Sequence, residues 1–275
     1  MPSLGRLFTE VPELYDRVRP GYPDELFDDL ARIAGLRAGS SVLEVGCGTG
    51  QATRSLAGRG YAITALEPGA EMAALARRRL AGLGDVTVET ATFEQWDAGD
   101  ARFETVVAAS SWHWVDPAIG WAKARAVLGP GPDDAPDAPA GGWLAVLGHV
   151  VVRRPDETEA YAETADLCER FSPGNPDWGH PPLEDEVRAT DDAWGQVSDP
   201  GSHFGPPVVR WYPTVQWFDG AGFAELLNST SMYLKMPADV REPLLDAVAE
   251  RIRTRLGDRV PRRYLTVLRI GRRAT

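Results

Sequence analysis

Cysteine is nearly absent from this sequence, with Cys47 and Cys168 the only two among 275 residues. Two thiols cannot build a disulfide framework, so a reducing cytoplasmic compartment and an ordinary hydrophobic core are expected. No apolar run is long enough to cross a bilayer, and Met1 to Leu14 contains no signal-peptide core, so no membrane partner is expected. Lysine is scarce too: Lys123 and Lys235 are the only lysines among 29 basic residues, a skew of composition that marks no site. Against those 29 stand 40 acidic residues, and a formal net charge of −11 argues against binding the phosphate backbone of nucleic acid. What is present is a chain of 43% hydrophobic residues, long enough to bury a full core as one elaborated domain over 1–275.

The most informative stretch is Ser41-Val42-Leu43-Glu44-Val45-Gly46-Cys47-Gly48-Thr49-Gly50-Gln51. A short apolar run with an embedded acid ends in three alternating glycines, which reads as a buried strand stopping in a tight loop. Glycine has no Cβ to block a ligand and takes positive φ without strain, so backbone can approach a nucleotide-like cofactor there.

The surrounding pattern supplies the fold class. Leu26, Phe27, Leu30 and Ile33 recur at helical spacing from Asp24, an expected N-cap, to Gly35 as the stop. Helices are expected over 52–57, 70–80 and 118–128, and strands over 61–66, 86–89, 103–109 and 143–148. That alternation means βαβ crossovers and an α/β, doubly wound, mostly parallel sheet, with ligands at the carboxyl ends of its strands. Residues 129–142, rich in Pro, Gly and Asp, are expected to form a surface loop. Over 153–207 the rhythm breaks, with one helix at 157–171 and then irregular sequence, so this segment is expected to be an inserted helical and irregular cap. The alternation resumes with a strand at 208–217, helices at 222–227 and 238–256 and a last strand at 264–270.

Three details bear on which cofactor the loop holds. The glycines run Gly46-x-Gly48-x-Gly50, not the G-x-G-x-x-G that aims a helix N-terminus at a pyrophosphate. Glu67 ends the next strand about 20 residues on, where a carboxylate can accept ribose hydroxyls. Glu44 stands inside an apolar strand, where a buried carboxylate is costly unless it meets a cation or hydrogen-bond donors. S-adenosyl-L-methionine (SAM) has no phosphate and carries an ammonium and a sulfonium, so acid-flanked glycines suit it better than a dinucleotide.

Val42 to Gly50 resembles motif I of the class I SAM-dependent methyltransferases, and Glu67-Pro68 resembles their acidic ribose-binding strand end. More narrowly, Leu14 to Pro23 and Trp112-His113-Trp114-Val115-Asp116-Pro117 are similar to small-molecule enzymes of the trans-aconitate methyltransferase-like group. Glu104, where that family usually has Asp, and the proline-rich insertion before Trp143 depart from the pattern. The resemblance implies a Rossmann-like, seven-stranded sheet, with residues 1–39 over the cofactor, 40–150 as the SAM-binding core, 153–207 as the cap and 208–275 completing the sheet. It implies that Gly46, Gly48 and Gly50 line the amino-acid part of SAM, beside Glu44 and Ala109. Glu67 would bind the ribose, Pro68 and Met72 would border the adenine, and Thr92 and Phe93 would close its other side. Tyr15 and Arg19 resemble the segment that folds over the cofactor, with Arg19 meeting its carboxylate.

Methyl transfer from a sulfonium is an in-line displacement, and a base is needed only when the nucleophile carries a proton. His113 has the pKa range of a general base, follows the fourth strand at the carboxyl edge, and stands between Trp112 and Trp114. By likeness to plant salicylate-type carboxyl methyltransferases, Trp114 would contact the acceptor. Trp112, Trp178, Trp217 and Tyr233 are further candidates for an acceptor pocket, and no Cys/His/Asp spacing resembles a metal site. The expected reaction is methyl transfer to a small molecule, a carboxylate or a secondary-metabolite hydroxyl, amine or carbon, leaving S-adenosyl-L-homocysteine (SAH). Two alternatives stay open at this point: a SAM-fold protein that binds without transfer, as a scaffold or cyclase, and an NAD-dependent oxidoreductase.

Overall fold

The computed structural model describes residues 12–129, 142–155, 160–173, 180–190, 194, 201 and 203–274, without the side chains of Pro12, Tyr15 and Thr190. Most of the 129–142 loop, and Trp178, lie outside the described residues. The order is α1 (Pro12–Val18), α2 (Asp24–Ala34), β1 (Ser41–Val45), α3 (Gln51–Ala57), β2 (Ala62–Leu66), α4 (Ala70–Leu80), β3 (Val86–Glu89), β4 (Thr105–Ala109), α5 (Pro117–Val127) and β5 (Trp143–Val152). There follow α6 (Ala160–Phe171), α7 (Glu184–Thr190), β6 (Val208–Phe218), α8 (Gly220–Asn228), α9 (Ser231–Leu234), α10 (Ala238–Arg255) and β7 (Val260–Arg272). One seven-stranded sheet results, in the order β3-β2-β1-β4-β5-β7-β6. β1 pairs in parallel with β2 and β4, β2 with β3, and β4 with β5, as the βαβ rhythm requires.

The chain divides into two compact units. The first holds Gly21–His149, Asp191–Tyr212 and Thr266–Thr275; the second holds Met1–Pro20, Val150–Thr190 and Pro213–Leu265. In the first, neighbouring strand residues point to opposite faces, and each face builds its own core. Val42, Val107, Ala145, Leu147 and Leu268 pack with Leu26, Phe27 and Leu30 of α2 and Leu56 of α3. Leu43, Val106, Leu144 and Val146 pack on the other side with Phe93, Trp96, Trp112 and Trp121. Near-continuous Val, Leu and Ala in these strands is what burial on both faces demands.

α2 ends as expected at Gly35, whose backbone takes φ 70° and whose amide donates to Ala31, but its N-cap is Pro23. Asp24 is instead the first helical residue, an acid in the first turn where the helix dipole favours it. The acid at Glu104, where the family pattern has Asp, ties β4 to β1: its carboxylate accepts from Ser40 Oγ at 2.9 Å and from the Ser41 amide at 3.1 Å.

The expected cap over 153–207 is divided between the units. Its helices α6 and α7 belong to the second unit, whereas Trp194 and Phe204 are core residues of the first, with Trp194 5.4 Å from Trp121. Sequence irregularity marked the insertion, but it could not show that two of its aromatics complete the sheet core. In the second unit, Leu244, Leu245, Val248 and Ile252 form the buried face of α10 against Phe223, Leu226 and Leu227 of α8.

Candidate functional site

The glycine loop closes β1 at the carboxyl edge of the sheet. Gly46, Gly48 and Gly50 all have positive φ, at 70°, 59° and 90°. A Cβ on Gly46 would lie 2.6 Å from Ser111 Cβ, so the loop and the residue after Ser110 approach as closely as backbone and side chain can. Ser111 Oγ also donates to the Val45 carbonyl, which locks the end of β4 to the end of β1. Gly50 then opens α3 as its N-cap.

Two carboxylates flank the loop. Glu67 is buried just past β2, and its oxygens accept from two backbone amides, Gly48 at 2.9 Å and Gly69 at 2.8 Å. Burial raises its pKa, and the two amides pull it back in part. Glu44 is fully buried, and neither of its oxygens has a well-formed hydrogen bond; the nearby Thr53 hydroxyl lacks one as well. Burial pushes the Glu44 carboxyl up to about 7, the Thr53 hydroxyl offsets part of this, and Glu67 adds repulsion. An orphaned buried carboxyl beside a cradle of glycines is what a ligand bearing positive charge and donors would complete.

Around this cradle, Met72 is buried in α4 with its Cε 3.7 Å from where a Gly48 Cβ would be. Pro68 is exposed. Thr92 turns the chain after β3, its carbonyl accepting from the Trp96 amide, and Phe93 is buried against Trp112 at 6.1 Å. Ala109 ends β4 half-buried, and Ser110 follows with φ 55°, a left-handed conformation that costs a non-glycine residue of order 1 kcal/mol or more. Arg19 lies in the second unit, where its guanidinium donates to the Ser229 carbonyl at 2.8 Å. The side chain of Tyr15 is outside the described residues.

The Trp-His-Trp segment is a 3₁₀ turn, and it separates its three rings. Trp112 is a core residue packed 5.1 Å from Trp121, which corrects its expected place in the acceptor pocket: the turn aims it back under the sheet. Tyr233 is corrected in the same way, being 1% exposed in the core of the second unit. His113 and Trp114 are exposed and 4.6 Å apart, and partial desolvation holds the His113 pKa below its ordinary value. Trp217 is exposed on β6 with the Arg259 guanidinium 4.2 Å over its ring.

The fold also brings together side chains that the motif reading missed. Tyr22 Oη is 2.7 Å from Ser110 Oγ, the Tyr22 ring stacks on the His149 ring at 4.5 Å, and His149 Nδ1 is 2.9 Å from Thr266 Oγ1. The signal for His149 was the sheet rule itself. β5 runs past Gly148, so His149 falls at the carboxyl edge where ligands bind.

Comparison with known proteins agrees with this geometry. A family model described as a methyltransferase domain matches residues 42–131. Uncharacterized methyltransferase Rv3342 of Mycobacterium tuberculosis is 35% identical over 245 residues, covering 87% of this chain and 83% of that protein. Uncharacterized methyltransferase GWCH70_2477 of Geobacillus is 32% identical over 114 residues, covering 39% of this chain and 52% of that protein. Among solved structures, one from Anaeromyxobacter dehalogenans that carries the name of a type II methyltransferase superposes with TM-score 0.59 at 23% identity, covering 92% of this chain and 97% of that one. A SAM-dependent methyltransferase from Thiobacillus denitrificans, in complex with S-adenosyl-L-homocysteine, superposes with TM-score 0.51 at 15% identity over 98% of both chains. These two structures share the fold. The chain belongs to the class I SAM-dependent methyltransferases, and its cofactor is S-adenosyl-L-methionine.

Proposed function

We propose that this enzyme methylates a small-molecule acceptor, a carboxylate or a secondary-metabolite hydroxyl, amine or nucleophilic carbon, in the cytoplasm. The observation that carries the cofactor side of this reading is the orphaned, fully buried Glu44 carboxyl next to three positive-φ glycines. Bound SAM supplies an electrophilic methyl group on a positively charged sulfur. Gly46, Gly48 and Gly50 bring backbone against its amino-acid part, with Glu44 beneath and Ala109 beside it. Glu67, now held by the Gly48 and Gly69 amides, turns an oxygen to the ribose hydroxyls. Met72, Pro68, Thr92 and Phe93 border the adenine.

The acceptor lies at the carboxyl edge, where His113 and Trp114 are exposed side by side. Holding the acceptor in line with the methyl carbon supplies most of the acceleration, about 7 to 11 kcal/mol in favourable intramolecular cases. Partial desolvation lowers the His113 pKa and so favours the neutral imidazole, the form able to accept a hydrogen bond or a proton from the acceptor. Both free cysteines are buried, in keeping with a reducing compartment. No helix among the described residues is long and apolar enough to cross a membrane.

Calorimetry with SAH, followed by label transfer from methyl-tritiated SAM to a panel of carboxylates, phenols and amines, tests the proposal. Binding together with a labelled small molecule supports it. Binding with no labelled product from any acceptor class would leave a cofactor-binding protein without transfer in its place.

A further inference from the structure

We propose that Glu94, held from behind by Lys123, is a positioning residue that ties the turn bordering the adenine to the turn carrying His113 and Trp114, so that cofactor binding orders the acceptor side. The inference rests on the proposed placement of the adenine against Thr92 and Phe93 and deepens it. All the residues concerned lie in the first unit.

The turn after β3 is anchored on two sides. Within it, the Trp96 amide donates to the Thr92 carbonyl at 3.0 Å, and the Gln95 amide donates to Thr92 Oγ1 at 3.3 Å. Trp96 Nε1 donates to Glu89 Oε2 at 2.9 Å, which fastens the turn to the last residue of β3. α5 holds it from the other side. Lys123 Nζ donates to the Glu94 carbonyl at 3.1 Å and to the Trp96 carbonyl, and it stands 5.4 Å from the centre of the Phe93 ring. Lys123 therefore fixes the backbone on both sides of Gln95 together with the ring proposed to face the adenine.

Glu94 carries that fixed shape across to the other turn. Its Oε1 accepts from the Asp116 amide at 2.8 Å, across 22 residues of sequence. Asp116 is the N-cap of α5, with its side chain accepting from the Ala118 amide at 2.9 Å. Immediately before it, the Trp114 amide donates to the Ser111 carbonyl at 3.0 Å and the Val115 amide to the Trp112 carbonyl at 3.1 Å. A Cβ on Gly120 would lie 2.5 Å from Val115 Cγ1 and 3.6 Å from Trp112 Cζ2, so α5 also packs hard against this turn. One helix thus grips both turns, and Glu94 is the residue that its Lys123 and its N-cap both hold.

A base seated against Thr92 and Phe93 rigidifies their turn, and the bond from Glu94 passes that order to the residues beside His113 and Trp114. The acceptor then meets a turn that is already ordered, and binds better to the cofactor complex than to the free enzyme. Phe93 also packs on Trp112, with 6.1 Å between ring centres, which makes a competing route that bypasses Glu94.

Adenosine carries the base and the ribose without the sulfur or the amino-acid chain, so it occupies the adenine side alone. Hydrogen exchange of the backbone amides of the full chain, free and saturated with adenosine, reads the transmitted order. In the wild type, adenosine should slow exchange of the Trp96, Trp114 and Val115 amides, each by about threefold or more. Glu94→Ala should keep the slowing at Trp96 and lose it at Trp114 and Val115. Glu94→Gln, which retains a carbonyl acceptor for the Asp116 amide, should restore it. A role confined to holding the fold would speed exchange at Trp114 in the free and bound forms alike and leave their ratio at the wild-type value. That unchanged ratio in Glu94→Ala overturns the inference in favour of the route through Phe93 and Trp112. Should Glu94→Ala fail to fold, Lys123→Met keeps the stem beside Phe93 and should lose the slowing at Trp114 in the same way; a wild-type ratio there overturns the inference equally. Slowing at Trp96 alone in the wild type overturns it too, with the adenine placement left standing. Slowing at none of the three amides, with calorimetric binding of SAH intact, removes the adenine from Thr92 and Phe93 and the inference with it. Absence of binding heat from SAH overturns the cofactor assignment itself.

Discussion

Ser111 presses on Gly46 so closely that the glycine has no room for a methyl group, a Cβ there lying 2.6 Å from that of the serine. The contact spans 65 residues of sequence and joins the ends of β1 and β4 at the point where the cofactor's amino-acid part is proposed to rest. Gly46→Ala meets two penalties, a positive φ and an overpacked contact. Together they should cost about 2 to 4 kcal/mol in urea unfolding. Ser111→Gly in the same background should restore at most part of the packing share, because the strained φ remains and the Ser111 hydroxyl's bond to the Val45 carbonyl is lost.

Glu67 serves the fold and the proposed ribose contact with the same two oxygens. Glu67→Ala leaves the Gly48 and Gly69 amides without an acceptor and should lower stability by about 1 to 3 kcal/mol. Calorimetry should show SAH affinity at least tenfold weaker, about 1.4 kcal/mol. Unchanged affinity would remove Glu67 from the ribose site.

Glu44 gives the apo protein a pH dependence of definite sign. Its folded pKa of about 7 lies above the ordinary 4.5, so between those values the folded chain holds a proton that the unfolded chain has released. Unfolding free energy therefore falls as pH rises from about 4.5 to 7, by roughly 3 kcal/mol, and the stability is fully present only below that window. Burial raises Glu67 in the same direction. Chemical unfolding of the cofactor-free protein at pH 5 and pH 7.5 should show the loss, and Glu44→Gln should remove most of it. If wild type and variant lose stability equally over this range, Glu44 is not the group responsible.

Trp112 and Trp114 are two residues apart and should respond oppositely to truncation. Trp112→Ala empties a core site between Phe93 and Trp121 and should cost about 3 to 5 kcal/mol. Trp114, 49% exposed, should cost within about 0.5 kcal/mol when changed to Ala. Its effect should appear in the acceptor KM, measured once an acceptor is in hand, with SAH affinity unchanged.

Much of the fold was legible because its signals are local. Leu26, Phe27 and Leu30 at helical spacing, and Val42 and Leu43 on opposite sheet faces, follow from chain periodicity alone. The N-cap of α2 is Pro23, one residue before the expected Asp24, because an acid serves the cap and the first turn alike. Aromatic identity carries no information on burial, so the sequence does not separate the core rings of Trp112 and Tyr233 from rings that line a pocket. The division of 153–207, with Trp194 entering the sheet core beside Trp121, depends on packing across more than 70 residues.

By itself the sequence determined the cradle: three glycines that need positive φ, an acid sunk in the strand before them and another at the end of the next strand. Those properties belong to single residues and short spacings, so they survive without coordinates. Tertiary structure alone decided what meets the cradle. Ser111 on Gly46, Tyr22 on Ser110 and His149, and Thr266 on His149 join residues more than 60 positions apart in the chain. Their proximity comes from the register of β4 against β5 and from where β7 enters the sheet, and no local pattern encodes either.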